Sequence, residues 1–166
     1  MTEIIKRLDN TAYDFVLKQN ETHIEYLLPM DKDKLLFLNE KAELFDVIYV
    51  NDCPAGFCIA FREGVEEYDL KGYKEFSKYY SKYLYVDTIV IDEKFQGMGL
   101  GRKLYQNVFN LAEKSGVEAV TVVITTMPCN KSSLKFHEKM GFHEIGELLL
   151  RGGCVKASQW VKEIKG

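Results

Sequence analysis

Gln96-Gly97-Met98-Gly99-Leu100-Gly101, followed by Arg102, is the stretch of this chain best suited to chemistry. It lies between a run with strand character, Tyr83 to Ile91, and a run with helix character, Leu100 to Ser115. A glycine-rich turn that opens a helix presents backbone N–H groups with no helical acceptor, at the positive end of the helix dipole. Such a turn is a phosphate site built from backbone. The spacing discriminates between ligands. A dinucleotide fold requires G-x-G-x-x-G, and counted from Gly97 the last place holds Arg102. It also requires an acidic residue after the next strand, where Thr125 and Thr126 stand. A Walker loop would put its second glycine at Arg102. Neither pattern fits, whereas Q/R-x-x-G-x-G is met by Gln96, Gly99 and Gly101.

That pattern resembles the pyrophosphate loop of the GNAT superfamily of N-acetyltransferases, which bind acetyl-CoA. A second stretch, Asn130-Lys131-Ser132-Ser133-Leu134-Lys135-Phe136-His137-Glu138-Lys139-Met140-Gly141-Phe142, is similar to the late helix of that family, N-x-x-[AS]-x-x-F-Y-E-K-x-G-F. The two motifs come in the family's order and at its spacing, and the resemblance extends from Leu84 to Trp160. It implies an α/β fold with a mixed, mostly antiparallel central sheet flanked by helices and splayed between the fourth and fifth strands. It also implies transfer of an acetyl group to a primary amine, of a small molecule or a protein, by direct attack in a ternary complex. An amine attacks the thioester, a tetrahedral oxyanion forms and a thiol leaves. Holding both reactants together supplies much of the rate.

The same resemblance assigns roles. Backbone groups of Ile89, Val90 and Ile91 would bind the pantetheine arm as a neighbouring strand does. N–H groups of Gln96, Gly97, Met98, Gly99, Leu100, Gly101 and Arg102 would hold the pyrophosphate. Arg102 or Lys103 would add charge, or each is a solvated residue of the first turn. Asn130, Ser133 and His137 fall at i, i+3 and i+7, on one helical face. Asn130 is a cofactor contact, an N-cap, or both. Ser133 and Phe136 complete the cofactor-facing set, Phe136 by packing. His137 departs from the family's usual tyrosine, which donates its proton to the CoA sulfur. An imidazole can serve as an acid near pH 7, donate to the sulfur without transfer, or pack against the cofactor. Asp87 stands where family members often carry a catalytic carboxylate, as a general base acting directly or through a water, or as an amine binder. A carboxylate inside an apolar strand is costly unless partnered, which favours function. Tyr85, on the same face, is the third catalytic candidate. A non-catalytic acyl-CoA-binding sensor or regulatory module keeps the same fold, as does an enzyme transferring a longer acyl group or acting on oxygen.

These residues need elements to carry them. Glu3 to Leu8 reads as a first strand, Asp9 to Thr11 as caps, and Thr11 to Lys41 as helix broken near Pro29 with Leu35, Leu36, Leu38 and Ala42 on its apolar face. Leu44 to Val50 and Ala55 to Phe61 form a hairpin around Asn51 to Pro54. Gly64 to Ser81, with Tyr68, Tyr73, Phe76, Tyr79 and Tyr80, reads as packing or as the wall of an acceptor pocket. Tyr85, Asp87, Ile89 and Ile91 share one face of the next strand. Leu100, Leu104, Val108 and Leu111 form the buried side of the following helix. Ala119 to Thr125 reads as a strand covered on both faces. Pro128 and Asn130 open the next helix, Gly141 closes it, and His143 to Leu150 with Cys154 to Val161 form a final hairpin.

Composition sets the frame. With 166 residues, 46% hydrophobic and 28% charged, the chain reads as one globular domain, 1–166. The net charge of -3 and the lack of a basic block argue against nucleic-acid binding. Cys53, Cys58, Cys129 and Cys154 form no C-x-x-C pair, so no metal is implied and reduced thiols in a cytoplasmic protein are expected. No apolar run reaches the length of a membrane span, and the first ten residues have no signal-peptide character. Homodimers are frequent in the resembled family.

Overall fold

The computed structural model describes residues 1–127 and 129–164. Its strands are Glu3–Arg7 (β1), Leu44–Val50 (β2), Cys53–Arg62 (β3), Tyr83–Ile91 (β4), Ala119–Met127 (β5), His143–Leu150 (β6) and Val155–Glu163 (β7). Its helices are Tyr13–Thr22 (α1), Lys32–Lys41 (α2), Lys71–Lys74 (α3), Leu100–Ser115 (α4) and Lys131–Lys139 (α5). One seven-stranded sheet runs in the order β1-β2-β3-β4-β5-β7-β6. β1 with β2, β2 with β3, β5 with β7 and β6 with β7 pair antiparallel, whereas β4 and β5 run parallel. The parallel ladder covers Tyr83 to Val86 against Ala119 to Val122, and β5 continues along β7 as far as Met127↔Lys156. The mostly antiparallel sheet, parting after the start of β4 and β5, matches the expected architecture.

The residues group into two compact units: Met1–Phe61 with Thr88–Val108, and Arg62–Asp87 with Phe109–Gly166. β4 passes from one to the other along its own length.

In the first unit, β2 and β3 turn over Asn51 and Asp52, at φ 48° and 68°. Two positive φ values make a type I′ turn, whose twist suits a two-residue hairpin. The return strand therefore starts at Cys53, two residues earlier than the sequence suggests. α2 is capped by Asp31, whose carboxylate accepts from Lys34 N at 2.8 Å. Leu35 and Leu38 point inward, but Leu36 is 41% exposed, which corrects the expected apolar face. Adjacent helical residues diverge by about 100°, so Leu35 and Leu36 cannot share one stripe. On β3, a Cβ at Gly56 would stand 2.6 Å from the Val90 carbonyl oxygen and 2.7 Å from Ile91 Cδ1. Gly56 thus allows β3 to approach the part of β4 that precedes the glycine loop.

In the second unit, the segment before β4 is packing. Tyr68, Tyr73 and Phe76 are buried against Tyr83 and Tyr85, with Tyr73 edge-on to Tyr68 at 4.9 Å and to Tyr85 at 5.5 Å. Its ends are pinned by hydrogen bonds. The Tyr73 hydroxyl donates to Arg62 O and accepts from Val65 N, and the Tyr83 hydroxyl donates to Tyr73 O. Helix α4, which lies in the first unit up to Val108 and in the second from Phe109, has Leu100, Leu104, Val108 and Ala112 buried; Leu111 is half-buried, because spacing by four continues through Ala112. α5 opens with Asn130 as N-cap, accepting from Ser133 N at 3.3 Å. Pro128, also expected to open it, lies outside the described residues.

Gly56→Ala forces a methyl group onto backbone rather than onto a mobile side chain. It is expected to destabilise the fold by about 1–3 kcal/mol, read as a lowered midpoint in urea unfolding.

Candidate active site

The glycine loop belongs wholly to the first unit. After Ile91, the Asp92 N–H donates to Ala55 O at 2.8 Å, and the Asp92 carboxylate caps Lys94 N at 3.1 Å. A 3-10 turn, Glu93–Phe95, leads to Gln96, whose Nε2 donates to Ile91 O at 3.4 Å. Gly97 and Gly99 then adopt φ 82° and 75°, left-handed conformations that L side chains rarely take. At neither glycine does any atom lie within 4 Å of where a Cβ would stand. Conformation rather than crowding therefore demands glycine here, and the loop's outer side stays open. Gln96, Gly97, Gly99 and Arg102 are exposed, while Leu100 is buried and anchors the turn. Lys103 N bonds Gly99 O at 3.2 Å as the helix begins, so the N–H groups of Leu100, Gly101 and Arg102 belong to the unpaired first turn. Lys103 forms an ion pair with Glu3, and Arg102 beside it is also exposed. An open backbone cradle with a helix N-terminus behind it fits a pyrophosphate, but the Gln96 N–H, expected among its donors, is committed to Glu93 O at 3.3 Å, because it closes the 3-10 turn.

Tyr85 and Asp87 lie in the second unit. The Tyr68 hydroxyl, 4% exposed, donates to Asp87 Oδ1 at 2.8 Å. This is the partner that a carboxylate in an apolar strand needs. Burial, followed by the Asp87 charge, pushes the Tyr68 hydroxyl far above its ordinary range, so it stays protonated and donates. Tyr85 is also raised well above 10 by burial first and the Asp87 charge second. It is a neutral phenol, a possible donor and not a base. Its ring stands among Tyr73, Phe76 and Tyr68.

α5 holds the last candidates. His137 is buried, and its Nδ1 lies 2.7 Å from Ser133 O and 3.2 Å from Ser133 Oγ. A carbonyl only accepts, so Nδ1 carries the hydrogen and the neutral ring offers Nε2 as an acceptor. Burial lowers its pKa from 6.5 to about 4, against an opposing hydrogen bond to Ser133. The helix ends in a Schellman motif. Phe142 N bonds His137 O at 3.0 Å, Gly141 N bonds Glu138 O at 3.1 Å, and Gly141 sits at φ 95°. The His137 ring meets Phe142 edge-on at 5.3 Å, in the apolar contact that accompanies this cap, and Phe136 flanks it at 5.4 Å.

Three groupings of expected site residues are thus assembled: Gln96 to Arg102 after Ile91, Tyr85 and Asp87 beside Tyr68, and Asn130, Ser133, Phe136 and His137 on α5. The partner missing from the sequence reading is Tyr68, which stands nineteen residues from Asp87. In sequence it is one tyrosine among several, and nothing in their spacing marks the one that bonds the carboxylate.

Among the described residues, no group of three or more His, Cys, Asp and Glu side chains could hold a metal ion, and no helix is long and apolar enough to cross a membrane. Solved structures share the fold. Ard1 from Thermoplasma volcanium has a TM-score of 0.80 at 16% identity, covering 100% of both chains. The ribosomal-protein-S18-alanine N-acetyltransferase from Escherichia coli has a TM-score of 0.70 at 19% identity, covering 99% of this chain and 96% of its own. NAA60 from Arabidopsis thaliana, in complex with a bisubstrate analogue, has a TM-score of 0.78 at 14% identity, covering 99% of each. No curated protein matches the sequence. The acetyltransferase (GNAT) family model matches residues 9–142, most of the chain and all of the glycine loop, so the protein belongs to that family and is an acetyl-CoA-dependent N-acetyltransferase.

Proposed function

We propose that the acceptor is a primary amine, of a small molecule or a protein, and that Asp87 receives it. The observation that carries this reading is the hydrogen bond from Tyr68, which holds an ionisable carboxylate on a strand whose preceding four residues are all buried. Bound acetyl-CoA supplies the acyl group and a thiol leaving group. The backbone of Ile89, Val90 and Ile91 and the N–H groups from Gly97 to Arg102 would hold it in the first unit; Asn130, Ser133 and Phe136, on α5 of the second unit, match the resembled family's other contact positions. Asp87 accepts a proton from the amine nitrogen, directly or through a water, and Tyr68 stays protonated throughout. Tyr85 serves as a neutral donor within the aromatic cluster.

For His137 the geometry supports a packing role over an acid role. At neutral pH the ring is uncharged, and its one hydrogen is committed to Ser133. It closes the end of α5 against Phe142, which explains an imidazole where the resembled family carries tyrosine. Free thiols at Cys53, Cys58, Cys129 and Cys154 and a net charge of -3 support a cytoplasmic enzyme with no nucleic-acid partner.

Chromatographic measurement of CoA release across amines is expected to find turnover with wild type. In Asp87→Asn, kcat/KM should fall about 10²- to 10⁴-fold with acetyl-CoA affinity unchanged, as loss of a positioned base requires. Equal rates in the two proteins would refute the role of Asp87.

His137 also makes a statement about pH. Its folded pKa lies below the unfolded value of 6.5, so its contribution to stability is complete above 6.5 and is lost as pH falls towards 4. The loss is on the order of 3 kcal/mol. His137→Gln should flatten that part of the stability–pH curve while leaving neutral-pH turnover within a few-fold of wild type. A large loss of turnover, with the curve unaltered, would assign His137 to the chemistry.

A further inference from the structure

On β7, Gln159 is 2% exposed, and its Nε2 has no hydrogen-bond partner among the described residues. A buried amide N–H left unmade is costly, so native chains rarely keep one without a use. Its position in the sheet suggests that use. Gln159 pairs with Val123 on one side and with Gly146 on the other. Val123 shares a face with Tyr85, because a Cβ at Gly72 would stand 3.2 Å from Val123 Cγ2 and 3.6 Å from the Tyr85 hydroxyl. Asp87 lies two residues beyond Tyr85 on that same face. The β4–β5 ladder ends at Val86↔Val122, so Asp87 and Val123 are the residues that follow the last pair. Val123, Gln159 and Gly146 stand in one row across β5, β7 and β6, on the face that Asp87 shares.

The surroundings preserve the orphan group. A Cβ at Gly146 would come within 2.6 Å of Gln159 Oε1, so glycine leaves the amide its room. The same position lies 3.7 Å from the hydroxyl of Tyr79, whose residue is 52% exposed, so the row's outer edge is bordered by a side chain in contact with solvent. A second buried polar atom without a partner among the described residues, Thr121 Oγ1, lies two residues along β5 from Val123.

We propose that Gln159 is a specificity-determining residue, whose amide N–H binds an oxygen of the amine substrate while Asp87 receives its nitrogen. This rests on the reading of Asp87 given above. An amine that also carries a carbonyl or carboxylate oxygen offers an acceptor to the N–H, and a lone amine does not. The substrate class is therefore an amine with a neighbouring carbonyl oxygen, as in amino acids, amino amides and peptide N-termini, in preference to polyamines and alkylamines.

The test pairs glycinamide with isobutylamine, which has the same branching without the oxygen. kcat/KM is measured for both at saturating acetyl-CoA, in wild type and in Gln159→Met, which keeps the length and removes the N–H. Comparing the two proteins cancels the different intrinsic reactivity of the amines. Wild type should favour glycinamide, and Gln159→Met should lower that preference about tenfold, chiefly through the KM for glycinamide. Gly146→Ala, which displaces the amide without removing it, should shift the preference the same way. If Gln159→Met melts below the assay temperature, Gln159→Glu, also without an N–H, provides the comparison. Turnover by a folded variant with an unchanged preference would overturn the proposal and leave Asp87 in place. Turnover of neither these nor any other amine by wild type, with acetyl-CoA bound, would remove the reading of Asp87 and this inference with it.

Discussion

The second unit is organised around a carboxylate that has to be kept on a strand among buried neighbours. Water is largely excluded around Tyr83 to Val86, so Asp87 needs a donor, and the Tyr68 hydroxyl at 2.8 Å provides it. Placing that hydroxyl requires the irregular segment before β4 to be fixed as firmly as a helix would be. The Tyr73 hydroxyl, bonded to Arg62 and Val65, and the Tyr83 hydroxyl, bonded to Tyr73, do this, and the buried edge-on rings exclude water from the bonds. The tyrosines are thus a scaffold of hydrogen bonds as much as an apolar core.

β4 continues from this arrangement towards the glycine loop along the chain. One extended strand carries Tyr85 and Asp87 and then, two residues later, the backbone of Ile89 to Ile91 that leads into the glycine loop. The loop works by what it lacks. Gly97 and Gly99 hold left-handed conformations with no side chain in the way, and helix α4 adds unpaired N–H groups behind them. Gly56 answers a similar need on the neighbouring strand, where any side chain would strike the Val90 carbonyl.

Much of this was legible from sequence, because local rules governed it. The glycine loop, the α5 cap at Asn130 and the Gly141 stop depend on residues within a few positions of one another, and β4 begins and ends where its composition indicates. Other features were not legible because they depend on distant partners. The pairing of Tyr68 with Asp87 joins residues on either side of α3, and the burial of His137 depends on Phe142 folding back across the end of its helix. The late motif alone left the imidazole as an acid, a donor or a packing residue; the 2.7 Å contact of its Nδ1 with Ser133 O supports packing. Leu36 and Leu111 show the limit of periodicity, since a run of leucines fits more than one stripe and only packing selects the buried one.

The most direct test of the account is the Tyr68→Phe variant, assayed with one amine substrate and, separately, for acetyl-CoA affinity. The hydroxyl is removed and the ring retained, so the aromatic cluster persists while Asp87 loses the Tyr68 hydrogen bond. The account predicts a fall of about tenfold or more in kcat/KM for the amine, with acetyl-CoA affinity unchanged. Wild-type kinetics in a folded Tyr68→Phe protein would contradict it.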